Sequence, residues 1–128
     1  MNAGSEVEKI IRDYIEQQRK SQYYHKKKND AEKEYNKLLV NFGGEAKNFS
    51  LEEANKIYQA FREIQINEEQ LKSAEDKFND ADEKLKELGH ILFHATITAN
   101  ITIPPVNGEE VVSKQITVSF PNGQALVI

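Results

Sequence analysis

The chain has 128 residues, room for one compact domain or two small modules sharing a frame, and a formal charge of −4 that disfavours general attraction to nucleic acid or anionic membrane. It contains no cysteine, which excludes disulfides, thiolate metal sites and a cysteine nucleophile. With 30% charged and only 38% hydrophobic residues, it suits long helices bearing a narrow apolar stripe better than a thick globule.

The first residues, Met1 to Glu6, show no basic stretch followed by an apolar core, so no conventional secretion signal is expected. Ser5 and Glu8 have capping-box spacing and predict a helix starting there. Val7, Ile10, Ile11, Tyr14 and Ile15, then Tyr24, Ala31, Tyr35, Leu38, Leu39 and Phe42, fall three, four or seven apart on one helical face. No proline or glycine interrupts residues 5–42, and Gly43-Gly44 marks the stop.

A second capping box, Ser50 with Glu53, predicts the next helix, with Phe49 placed to fold onto Ala54 as a hydrophobic staple. Ile57, Ile64, Leu71, Phe78 and Leu85 recur every seven residues, each followed three later by Ala60, Asn67, Ala74, Ala81 and Leu88. That is a sustained heptad seam, and Gly89 reads as its end. A short linker between two helices of near-equal length favours antiparallel neighbours. Folding back about residues 43–49 sets Tyr14 level with Phe78, Tyr35 with Tyr58, and Ala81 near Ile11.

After Gly89 the apolar period changes to two. Ile91 through Ile103 reads as a half-buried strand. Pro104 to Glu110, containing Asn107-Gly108, reads as a turn; Val112 to Phe120 as a second strand; Pro121-Asn122-Gly123 as a second turn; and Gln124 to Ile128 as a third strand. The expected fold is therefore α+β: a coiled-coil-like antiparallel two-helix hairpin over residues 1–89, helices at about 5–42 and 50–88, then a small antiparallel β-meander over 90–128. Three strands with one apolar face need cover, either from the base of the hairpin or from another subunit.

Chemistry-bearing residues are sparse in pattern. Lys26-Lys27-Lys28 after Tyr23-Tyr24-His25 has the residue types that bind phosphates and stack bases, but three successive helical lysines point in three directions, level with Glu68 and Glu69. His90 and His94 would sit about 13 Å apart on one face of a strand, without a third metal ligand. The acids Glu52-Glu53, Glu68-Glu69, Asp80 and Asp82-Glu83 flank the seam and read as solvated. Gly43-Gly44 lacks the strand and the Gly-Lys-Ser/Thr of a phosphate loop. Gln17, Gln18, Ser21, Gln22 and Lys28 opposite Asn67 and Glu68 make the middle of the seam polar, a thin place reached by water. No catalytic residue, cofactor, metal, nucleic acid, membrane or small-molecule substrate is expected.

Phe42-Gly43-Gly44-Glu45-Ala46, between two long helices, resembles the Trp-x-Gly turn of the WXG-type helical-hairpin proteins, and Phe78-Asn79-Asp80-Ala81-Asp82 is similar to that family's Tyr-x-x-x-Asp/Glu export signal. The resemblance implies a hairpin exported as a dimer by a type VII secretion system. It covers the hairpin alone, and phenylalanine stands where the family has Trp and Tyr. The order of helices then strands also resembles fibre, neck and baseplate subunits of phage-like particles, a likeness of shape only.

The expectation is a non-enzymatic structural or assembly protein, soluble in the cytoplasm or within a particle. It self-associates as a homo-oligomer or binds another protein through the β-module. Ile10, Ile15 and Ile66 are the apolar residues that a two-helix layer would leave uncovered. Leu126, Val127 and Ile128 form an apolar chain end suited to joining a sheet, within the subunit or across a subunit boundary. An adaptor, a chaperone or a WXG-like secreted hairpin is the alternative.

Overall fold

The computed structural model describes residues 3–43, 48–106, 112–121 and 125–128. Helix α1 spans Ala3–Gly43 and α2 spans Leu51–Ile91; strand β1 is Thr96–Ile103, β2 Val112–Ser119 and β3 Leu126–Val127. The two 41-residue helices pack together as an antiparallel hairpin, followed by a three-stranded antiparallel sheet of order β1-β2-β3. The fold class expected from the change of apolar period, 3.6 to 2, is the one observed.

The helix starts differ in kind. At α2 the capping box forms as expected: the Ser50 N–H donates to Glu53 Oε1 at 3.1 Å and the Glu53 N–H donates to Ser50 Oγ at 3.1 Å. α1 instead begins at Ala3, which places Ser5 inside the first turn rather than at the cap. The orphan N–H groups at a helix start can be satisfied by water, so a cap sequence does not oblige the helix to begin there. Residues 44–47, 107–111 and 122–124, on which much of the expected linker and turns falls, lie outside the described residues.

The C-terminal end of α2 corrects the reading of residues 89–95. Gly89 does not stop the helix: it is buried within it, and the Leu92 N–H still reaches the Leu88 carbonyl at 2.7 Å. The reversal falls later, in a turn closed by the Ala95 N–H donating to the Leu92 carbonyl at 2.8 Å, with His94 at φ 62°. A positive φ at the third position of a turn normally selects glycine. The His94 N–H and the Phe120 carbonyl are 3.0 Å apart, and the Phe120 N–H donates to the Ala95 carbonyl at 3.1 Å. Two residues just before β1 thus oppose one just after β2, the pattern of a β-bulge that usually carries glycine where His94 stands. Ile91, Leu92 and Phe93 continue the two-residue alternation but belong to the helix end and the turn, so β1 starts at Thr96.

By packing, the chain divides into two compact units, residues 1–20 with 74–128, and residues 21–73. In the first, Ile11, Ile15 and Leu85 of the helices pack with Ile101, Ile103, Ile116, Val118 and Phe120 of the sheet. The base of the hairpin therefore covers the apolar sheet face. Ile15, expected to lack cover, is buried in this core, because the sheet supplies the layer that a second helix pair would otherwise provide. The chain end is held within the same molecule: Val118 pairs with Val127, Ser119 with Leu126, and Thr117 exchanges both backbone hydrogen bonds with Ile128 at 3.1 and 2.9 Å. Tyr14 meets Phe78 as the register predicts, ring centroids 4.8 Å apart.

In the unit of residues 21–73, Ala31, Ile64 and Asn67 are the buried seam positions among the described residues. Asn67 Nδ2 donates to the Glu63 carbonyl at 2.9 Å, which answers its burial locally within α2. The Tyr35 and Phe61 rings meet tilted at 47°, centroids 6.0 Å apart, so the ring partner lies about one helical turn beyond Tyr58, the residue set level with Tyr35. Of the basic run, Lys28 reaches Glu68 across the seam and Glu32 on its own helix, each at 3.8 Å.

Candidate functional site

Amphipathic helices bury one stripe, and the apolar side chains left over are the informative ones. In the unit of residues 21–73, Tyr35 and Leu39 of α1 with Ala54, Ile57, Tyr58 and Phe61 of α2 and the preceding Phe49 line a groove of about 370 Å³. Its lining is aromatic and aliphatic throughout. Tyr58 is 58% exposed and Phe61 42%, and Leu51 on the same helix is almost wholly exposed. The capping box fixes where α2 begins and so sets Phe49 and Ala54 on the same groove. Such a surface can bury an apolar or aromatic side chain of another polypeptide. Among its lining residues there is no carboxylate, histidine, lysine or arginine to do acid–base chemistry.

The six residues expected at an interface divide by environment. Ile66, 42% exposed, lies on the unit that carries the groove. Ile10 and Val127 are half-buried against the core of the other unit, and Ile15 is inside it. Leu126 and Ile128 are 51% and 73% exposed, on a strand whose backbone is paired to β2. The groove itself was not foreseen from the sequence. Its signal was the concentration of Tyr35, Leu39, Phe49, Leu51, Tyr58 and Phe61 near one interhelix loop, more apolar bulk than a two-helix seam can bury.

A second concavity, of about 550 Å³, lies in the unit of residues 1–20 and 74–128 at the level of buried Gln17. Asp13, Glu16, Asp76 and Asp80 line it together with Lys20, Lys77 and Lys84. Lys20 pairs with Glu16 at 3.0 Å and Lys84 with Asp80 at 3.1 Å, both along their own helix. Opposite charges held in such i,i+4 pairs contribute about 0.3–0.5 kcal/mol each and leave no single-signed surface to capture a charged ligand. The expectation of a water-reached polar middle needs correction at two positions: Gln17 and Asn67 are buried, while Gln18 and Gln22 are exposed as expected.

His90 sits in the last turn of α2 and His94 in the turn after it, not together on a strand, because the helix runs on to Ile91. Phe93 packs edge-on to the His94 ring, centroids 4.0 Å apart. Among the described residues, no group of three His, Asp or Glu side chains is placed to hold a metal ion. The Tyr14 phenol is pushed above its ordinary value by burial and then by the neighbouring Asp82 carboxylate. Its ring packs on Phe78, so the perturbation goes with a packed aromatic pair of the seam. Among the described residues, no helix is long and apolar enough to cross a membrane. No protein-family model, curated protein or solved structure matches the chain.

Proposed function

We propose that this chain is a non-enzymatic structural or assembly protein that self-associates as a subunit of a larger complex. The observation that carries the reading is the apolar surface left on residues 21–73. A groove lined by Tyr35, Phe49, Ile57, Tyr58 and Phe61 remains open, whereas the helices pack on one face of the sheet and the chain end pairs with β2. An exposed apolar and aromatic concavity of this kind favours burial against a polypeptide, with aromatic side chains as the energetic anchors. Leu51 and Ile66, exposed on the same unit, extend the surface that assembly would cover. A phage-like particle is one such complex; that finer proposal rests on the order of helices and strands alone.

The alternative is an adaptor, chaperone or WXG-like secreted hairpin that offers the same groove to a different protein. The two readings separate on one experiment. Tyr58→Asp and Phe61→Asp, both at exposed positions, are compared with the unaltered chain by light scattering. Self-association predicts an unaltered mass above one chain that falls in both variants while far-UV circular dichroism is unchanged. A monomeric unaltered chain at every concentration would refute self-association.

A further inference from the structure

We propose that β1 is a self-pairing edge: two copies of the chain join antiparallel through their β1 strands about a two-fold axis at Ala99, making one continuous sheet. This rests on the assembly reading and names a contact within it. The argument starts from hydrogen-bond parity. Thr117 exchanges both its backbone hydrogen bonds with Ile128, so its N–H and C=O point toward β3. Successive residues of a strand alternate sides, so Ile116 and Val118 point toward β1, as Phe120 does toward Ala95. Their β1 partners are Ala99 and Ile97. The backbone N–H and C=O of Thr96, Thr98, Asn100 and Thr102 therefore face the other way, toward an edge that no described strand pairs.

Natural sheets usually protect such an edge with lysine, proline, a bulge or a very short strand. β1 has none of these within its eight residues, Thr-Ile-Thr-Ala-Asn-Ile-Thr-Ile, and carries no ionisable group. The devices stand at its ends instead, the His94–Ala95 bulge before it and Pro104-Pro105 after it. β3 at the opposite edge is only two residues long. The open length is thus bounded on both sides, which limits slippage of register.

A second copy is the occupant that fits this edge. An uncharged strand meets no like-charge repulsion when it pairs with itself. Centring the two-fold on Ala99 sets Thr96 opposite Thr102 of the second copy, Thr98 opposite its Asn100, and Ile97 opposite its Ile101. Each outward-facing residue then finds a donor and an acceptor. Sliding the axis to Asn100 would set Thr96 opposite Pro104, which has no N–H to give. Ile97 and Ala99 are only half-buried whereas Ile101 and Ile103 are fully buried, so the inward face of β1 keeps exposed apolar surface in its first half. Ala99, half-buried in one chain, would gain its own symmetry mate.

The chain has no cysteine, so a single introduced thiol reports one contact. At the two-fold, the two copies of residue 99 form a non-hydrogen-bonded pair with Cα atoms about 4.5 Å apart, within disulfide reach. Ala99→Cys is expected to give a covalent dimer under mild oxidation, and Gln115→Cys, on the exposed face of central β2, is expected to form no covalent link. Thr98→Lys with Asn100→Lys, which sets ammonium groups opposite each other across the axis, is expected to abolish the covalent dimer when added to Ala99→Cys. Asn100→Pro removes an outward N–H that β2 does not use and, tested alone by sedimentation, is expected to lower the mass of the assembly.

If Ala99→Cys fails to link while the chain still sediments as an oligomer, the edge is not the contact and the assembly reading stands. If the chain is monomeric throughout and nothing links, both fall. Equal linking through Cys at 99 and at 115 signals random collision and overturns the two-fold. Circular dichroism of each variant shows whether the sheet has survived.

Discussion

Leu71 and Leu85 are equivalent in the heptad of α2, two repeats apart, yet truncating them has unequal consequences. Leu85 is fully buried, in the cluster where Ile11 and Ile15 meet the sheet, whereas Leu71 is only half-buried. Leu85→Ala loses the whole transfer free energy of the removed carbons and leaves a cavity that a three-element core fills poorly. That sum is about 3–5 kcal/mol. Leu71→Ala gives up a smaller apolar area from a position that solvent already touches, and costs about 1–2 kcal/mol. The assay is urea unfolding followed by far-UV circular dichroism at one fixed protein concentration, because assembly would make stability depend on concentration. The expected difference is about 2 kcal/mol in favour of Leu85, with the slope against urea unchanged. Equal losses at the two positions would refute the docking of the sheet on Leu85.

Other outcomes follow from single features. His94→Gly is expected to raise stability by up to about 1 kcal/mol, since relief of the positive φ exceeds the added freedom of the unfolded chain, and His94→Val to lower it; thermal melts compare the two. Ser50→Ala removes the hydroxyl that accepts from the Glu53 N–H and is expected to cost about 1 kcal/mol, most of it restored by Ser50→Asp. Tyr14 has a folded-state pKa above its ordinary 10.0, by burial and then Asp82, so the folded form prefers the neutral phenol. Its contribution is fully present below the unfolded value of 10.0 and is lost as pH rises through the higher folded value. Melts from neutral to strongly alkaline pH should therefore fall more steeply for the unaltered chain than for Tyr14→Phe, and parallel curves would contradict the burial of Tyr14.

The hairpin was legible because several local signals agreed. Ser50 and Glu53 form their cap, and every heptad position from Ile57 to Leu88 is buried or half-buried. The α2–β1 junction was not legible, because Gly89 offers a stop signal that its buried, helical surroundings override. The positive φ falls on His94, a residue type that carries little turn signal. Nor could periodicity decide what covers the sheet. Ile15 lies on the same sequence stripe whether its neighbour is a second copy or Ile101 and Phe120 of its own chain, and only the fold selects the latter. The groove was hidden for a related reason. The register sets Tyr35 level with Tyr58 but does not say which ring it meets: Phe61 takes the ring contact, and Tyr58 stays largely exposed on the groove.

The account turns on whether the apolar groove and the bare β1 edge are filled by further copies of the chain. Sedimentation velocity of the unaltered chain over a wide range of concentrations asks this most directly. The account predicts a discrete species larger than one chain whose fraction grows with concentration. A single species with the mass of one chain at every concentration would contradict it.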